Sequence, residues 1–140
     1  MEIEKKRELL ETILERAAEK LGDITAPAMA HYYDRFPEAK SSFAEHGLGR
    51  STSLETEMVD SVLYCLMYWL DRRFEIEIIF GSSVSHHEDT LKIRHEWYVG
   101  LVQSTAAVIQ ATIPHNEPDE KLVWEEITDG LVEAMESARD

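Results

Sequence analysis

Apolar side chains at helical spacing dominate this sequence. In residues 2–21 they recur every three or four positions, opposite a charged face, and the pattern returns after each break. The one alternation typical of a strand, at residues 75–80, has no partner strand elsewhere in the chain, and an isolated strand is not stable. We therefore expect residues 75–80 to be helical or irregular, and the fold class to be all-α.

Glycine and proline mark the breaks in the first part of the chain. Gly22 and Asp23 are expected to end the first helix, and Asp23 or Thr25 can cap the second. Pro37 ends the second helix because its ring clashes with the preceding turn. One short helical turn is expected over residues 38–42, and a loop follows it.

The second part of the chain adds further helices. Thr52 and Glu55 predict a capping box before a deeply buried helix. Ser82 and Ser83 can cap a short helix that holds two histidines, and a long helix is expected over residues 94–113. The last helix is expected to have Asn116 as its cap, Pro118 in its first turn and the following inner face: Leu122, Val123, Ile127, Leu131 and Met135. Six to seven helices of unequal length argue against a simple up-and-down bundle.

Length and charge limit the organisation and the partners of the chain. Its 140 residues fit a single domain, residues 1–140, and a net charge of −14 disfavours nucleic acid and anionic membranes as partners. The longest uncharged stretch, 97–116, is interrupted by polar residues and predicts a buried helix. Together with the last helix it could also form a homodimer face.

Cysteine usage and the start of the chain indicate a cytoplasmic protein. Cys65 is the only cysteine, so no internal disulfide can form. Its apolar neighbours predict a buried thiol, which fits a reducing compartment. The charged, helical first residues do not resemble a signal peptide.

His87 is the histidine with the most suggestive surroundings. Val84 shares its helical face, and Leu91 and Ile93 follow it. A neutral imidazole among apolar groups is what an iron porphyrin requires, because the nitrogen binds iron and the apolar wall excludes water. His86 points about 100° away and is expected to face solvent.

The chain resembles the globin family along its whole length. Residues 33–43 are similar to the globin corner in which a proline starts a short helix and a phenylalanine six residues later packs on the haem, here Pro37 and Phe43. The resemblance makes His87 the iron ligand. It also implies that the haem pocket is lined by three residues that follow this histidine: Leu91, Ile93 and Tyr98. The run at 96–98 is similar to bacterial single-domain and sensor globins.

The resemblance also shows where this chain departs from the family. It places Met58 and Val62 over the distal face of the haem, where globins often have histidine or glutamine at the first position. Met29 faces the pocket where some bacterial globins have tyrosine, and His46 stands where an aromatic residue commonly packs. Lys92 or Arg94 could pair with a haem propionate. Either the distal side is apolar, which we favour, or the sulfur of Met58 ligates iron.

The expected function is reversible binding of a diatomic gas (oxygen, carbon monoxide or nitric oxide) at haem iron, for gas binding or sensing. No catalytic residue is assigned. A di-iron site is rejected because the histidines lack acidic partners at helical spacing. The alternative is a haem-free, globin-like regulatory module, and a sensor that acts on a separate signalling partner is a further variant.

Overall fold

The computed structural model describes residues 1–41, 51–85 and 95–139, and these consist of helices joined by short turns. Helix α1 covers Ile3–Leu21 and α2 covers Thr25–Arg35, and the short helix α3 covers residues 37–41. The later helices are α4 (Ser51–Tyr68), α5 (Arg73–Ser85), α6 (His95–Gln110) and α7 (Pro118–Arg139). The described ranges contain no strand, which confirms the all-α class. The globin-like arrangement stays a prediction.

The breaks predicted around α2 are confirmed. Gly22 has a φ of 63°, which a residue without a Cβ adopts readily, and its N–H donates to the carbonyl of the last turn of α1. A carboxylate oxygen of Asp23 accepts the N–H of Thr25, the first residue of α2, at 2.9 Å, although the N-cap residue is Ile24 and neither Asp23 nor Thr25. Helix α2 ends at Arg35 with Phe36 as its C-cap, and Pro37 begins α3, where a missing N–H has no cost.

Two predicted helix starts in the middle of the chain are wrong. Helix α4 already includes Ser51, so Thr52 lies inside it. The carboxylate of Glu55 instead accepts a hydrogen bond from the hydroxyl of Tyr33, with 2.6 Å between the two oxygens. Helix α5 runs without a break through residues 82 and 83, so these serines do not start a helix. Because the buried residues Ile76 and Phe80 lie one turn apart, residues 75–80 pack as a helix face.

The last two helices are shorter at one end than expected. Helix α6 ends at Gln110 and passes into turns before Pro114, where we expected helix up to 113. Helix α7 begins directly at Pro118, so the residue before it is Glu117 and Asn116 is not its cap. The inner face of α7 is confirmed except at Leu122, whose side chain is 59% exposed. Among the described residues, no helix is long and apolar enough to cross a membrane.

Helix α6 is the centre of the core. It packs against α1, α2, α4 and α7, and four consecutive residues, 99–102, are buried, as expected of a helix covered on all sides. The Trp124 indole N–H donates to the carbonyl oxygen of Ala106 at 2.9 Å and joins α7 to α6. Burial within the chain accounts for the apolar residues of α6, and the homodimer stays a prediction.

Two glycines allow helices and rings to approach closely. A Cβ on Gly100 would lie 2.3 Å from the ring of Phe36, and one on Gly130 would lie 2.6 Å from the indole of Trp69. Both distances are shorter than any real Cβ contact, so alanine would force one side chain to move. The first contact holds the corner before α3 against the central helix.

One buried ion pair joins the first and last helices. The guanidinium of Arg16 donates to both carboxylate oxygens of Glu120, at 2.6 and 3.1 Å. The Glu120 side chain is 3% exposed and that of Arg16 is 21% exposed. This fork-like geometry satisfies the buried carboxylate and raises the pKa of Arg16.

Candidate functional site

An apolar cavity of about 220 Å³ lies among α4, α5, α6 and α7. Helix α4 contributes residues spaced three or four apart, because such residues share one helix face. The described lining consists of Met58, Ser61, Val62, Cys65, Ile79, Phe80, Tyr98, Leu101, Val102 and Met135. Six of the lining residues are buried and carbon-rich or sulfur-containing, whereas Ser61 and Ile79 are exposed. The chemistry of the lining therefore suits an apolar ligand.

Three residues assigned to the haem pocket from the sequence meet in this cavity. Met58 and Val62 reach it from α4, and Tyr98 reaches it from α6. Met29 is buried in the core but is not among the described residues that line the cavity. The remaining assigned residues lie outside the described residues: Phe43, His46, His87, Leu91, Lys92, Ile93 and Arg94.

Several lining residues were not assigned to the site from the sequence. Cys65 was expected to be buried and Met135 to face inward, but periodicity alone gives no indication that they share a cavity. Phe80 belongs to the segment whose secondary structure was ambiguous. Leu101 and Val102 lie on a helix that is buried on several sides, so its apolar pattern could not single out one face.

The sulfur chemistry of the cavity is that of neutral groups. Burial raises the pKa of the Cys65 thiol to about 11, so the thiol is protonated at neutral pH. Met58 and Met135 add two polarizable thioethers to the same lining. The cavity thus has soft, uncharged walls and no described carboxylate or amine.

Two tyrosine hydroxyls fix α2 beside the helices that line the cavity. Tyr32 donates to the carbonyl of Trp97, the residue before Tyr98, at 2.9 Å. Tyr33 donates to Glu55 on α4 at 2.6 Å. Burial, and secondarily the hydrogen bond to this carboxylate, raises the pKa of Tyr33. Both hydroxyls remain protonated and hold α2 in place.

Two of the described histidines, His31 and His95, have structural partners. Nδ1 of His31 lies 2.9 Å from the hydroxyl of Ser104, and Nε2 of the buried His95 lies 3.2 Å from a carboxylate oxygen of Glu136. Within residues 1–41, 51–85 and 95–139, no three side chains of the His, Cys, Asp or Glu type form a metal-binding group. No histidine is among the described residues that line the cavity.

Comparison with known proteins gives no family assignment. No protein-family model, curated protein or solved structure matches this chain.

Proposed function

We propose that this chain is a haem-binding, globin-like domain that reversibly binds a diatomic gas at iron, with His87 as the proximal ligand. The observation that carries the proposal is the meeting of Met58, Val62 and Tyr98 in one apolar cavity. These residues come from two helices that are distant in sequence. The resemblance to globins assigns all three to the haem pocket.

The chemistry of the described walls fits a porphyrin. Carbon and sulfur atoms provide the water-free contact that the macrocycle needs. The described walls enclose about 220 Å³, which is below the roughly 300–1,000 Å³ of pockets that bury small molecules. A porphyrin would therefore extend beyond these walls.

The described lining residues determine how dry and how polar the proposed site is. When bound, the iron supplies the open coordination position for the gas. Val62 and Leu101 exclude water, which keeps the site dry. No described lining residue other than Ser61 and Tyr98 carries a hydroxyl, and Ser61 donates to the carbonyl of Glu57 at 2.9 Å. The apolar distal wall favours carbon monoxide or nitric oxide, whose binding depends less than that of oxygen on a hydrogen-bond donor.

The absorption spectrum of protein expressed with haem available tests the proposal. We expect a Soret band that His87→Ala abolishes and that the matched variant His86→Ala retains. The opposite result would move the ligand by one residue. If neither the expressed protein nor the protein mixed with hemin gives a Soret band, the haem proposal is wrong.

The ferrous spectrum tests the role of Met58. With an apolar distal side, carbon monoxide shifts the spectrum of a five-coordinate ferrous protein, and Met58→Ala changes the starting spectrum little. A six-coordinate ferrous spectrum that Met58→Ala converts to five-coordinate would instead show ligation by the Met58 sulfur.

The second candidate is a haem-free regulatory module with a globin-like fold. The small volume of the cavity favours it, because about 220 Å³ is less than most pockets that bury a small molecule enclose. A folded, helical protein that gives no Soret band with hemin would support this candidate.

A further inference from the structure

A second concave surface lies between α1 and the end of α4. It encloses about 330 Å³ and shares no described lining residue with the apolar cavity. Its floor is apolar and contains Leu10 and Leu14 from α1, with Met67 and Leu70 from the end of α4. The side chain of Met67 is 41% exposed, although it lies among these apolar neighbours. We call this surface the α1–α4 groove.

The rim of the α1–α4 groove is acidic. Arg7 and Asp71 pair across one end, with Nε 2.7 Å from the carboxylate oxygen, and so compensate each other. Glu11 and Glu15 are exposed on the rim one helical turn apart. Neither forms an ion pair with any residue in the described part of the chain. The rim therefore holds two uncompensated negative charges beside an apolar floor.

The shape and charge of the groove define what would fit it. Leu10 and Leu14 are about 6 Å apart along α1, at 1.5 Å per residue. A helix that presents two apolar side chains at i, i+3 or i, i+4 matches this length, and lysine or arginine beside them would meet the two glutamates. A second copy fits less well, because each copy carries a net charge of −14.

We propose that the α1–α4 groove docks a cationic amphipathic helix of a separate protein. The apolar face of that helix covers Met67 and Leu14, and its basic residues pair with Glu11 and Glu15. The thioether of Met67 is suited to such a surface, because its flexible side chain adapts to different apolar partners. The proposal does not depend on haem.

Binding of a synthetic helix tests the proposal on the full-length protein. The probe is a labelled amphipathic peptide with leucine on one face and lysine on the other, followed by fluorescence anisotropy. A peptide with glutamate in place of lysine and a scrambled lysine–leucine peptide are the probe controls. We expect binding of the first peptide only.

Charge variants distinguish the groove from a general attraction to an acidic protein. Glu11→Gln/Glu15→Gln removes the rim charges, and Glu125→Gln/Asp129→Asn removes two exposed charges one turn apart on α7. Both variants change the net charge equally. Because an exposed ion pair contributes up to about 1 kcal/mol, we expect the first variant to weaken binding about tenfold and the second less than about twofold.

Serine variants of two apolar residues test whether the floor of the α1–α4 groove contributes to binding. Met67→Ser should weaken binding, whereas Phe74→Ser, at a side chain 81% exposed on α5, should not. The proposal is overturned if no peptide binds, if the two charge variants weaken binding equally, or if the scrambled peptide binds as well. It is also overturned if sedimentation shows a dimer that Met67→Ser dissociates, since the occupant would then be a second copy.

Discussion

The variant Val62→Phe tests whether the apolar cavity is real space and whether a porphyrin enters it. Val62 is buried and lines the cavity, so a larger side chain can grow into it. The substitution adds four carbon atoms, and each buried carbon contributes up to about 0.8 kcal/mol. Because the cavity is partly open, we take less than half of this upper bound and expect haem-free Val62→Phe to gain about 1 kcal/mol of unfolding free energy.

Val59→Phe is the matched control on the same helix. Val59 is also buried, but it does not line the cavity, so the added ring meets packed neighbours. Overpacking of this kind lowers the free energy of unfolding by about 1–3 kcal/mol. Phenylalanine is therefore expected to raise the free energy of unfolding at position 62 and to lower it at position 59.

Two measurements on each variant decide the matter. Urea unfolding of the haem-free protein, followed by circular dichroism, gives the change in the free energy of unfolding. Hemin titration, followed by the Soret band, gives the affinity, which we expect to fall for Val62→Phe since the ring takes space from the porphyrin. If Val62→Phe destabilises as much as Val59→Phe, the cavity is not available space. If it stabilises the protein and leaves hemin affinity unchanged, the porphyrin binds elsewhere.

Three further predictions concern the core. Arg16→Met should lower the free energy of unfolding, measured by urea unfolding, by about 2–4 kcal/mol. The loss should exceed that of Glu120→Met, because Arg16→Met leaves Glu120, the less exposed charge of the pair, without a partner. The double variant should recover most of the loss. Gly130→Ala should lower the melting temperature through its contact with the neighbouring indole, whereas Gly81→Ala, with no atom within 4 Å of its Cβ, should raise it. Burial raises the pKa of Cys65 from 9.0 to about 11, so a thiolate forms at lower pH in the unfolded chain. The thiol should therefore contribute a loss of stability of about 2–3 kcal/mol as the pH rises from 9 through 11. Burial also raises the pKa of Tyr32 and Tyr33 above the ordinary value of 10.0, so Cys65→Ala should remove the loss that begins near pH 9 and leave the loss that begins near pH 10; a flat profile between pH 9 and 10 in the unmodified protein would contradict this.

Local patterns predicted secondary structure well where one physical effect was decisive. The glycine at 22 and the proline at 37 act through their own backbone geometry, so the helix breaks beside them could be predicted. Capping was harder to predict, because a side chain can use its hydrogen bond elsewhere. Glu55 shows this, since its carboxylate accepts a hydrogen bond from the hydroxyl of Tyr33 on another helix.

Burial was predicted less well than helix type. Leu122 fits the periodic inner face of α7, yet it is exposed, because the position of the neighbouring helices determines how wide the covered stripe is. Phe74 and Ile78 are 81% and 74% exposed on the face of α5 opposite Ile76 and Phe80. Apolar character alone therefore did not separate core from surface.

The sequence by itself determined that this chain is helical, where its early helices break, and that it has a single thiol and a strongly acidic surface. These properties depend on backbone geometry, on the 3.6-residue period and on composition, all of which are local. Only the tertiary structure decided that Gly100 meets Phe36, and that Val62, Tyr98 and Met135 line one cavity. The physical reason is that such contacts join residues far apart in the chain, and side-chain volumes across several helices select them together.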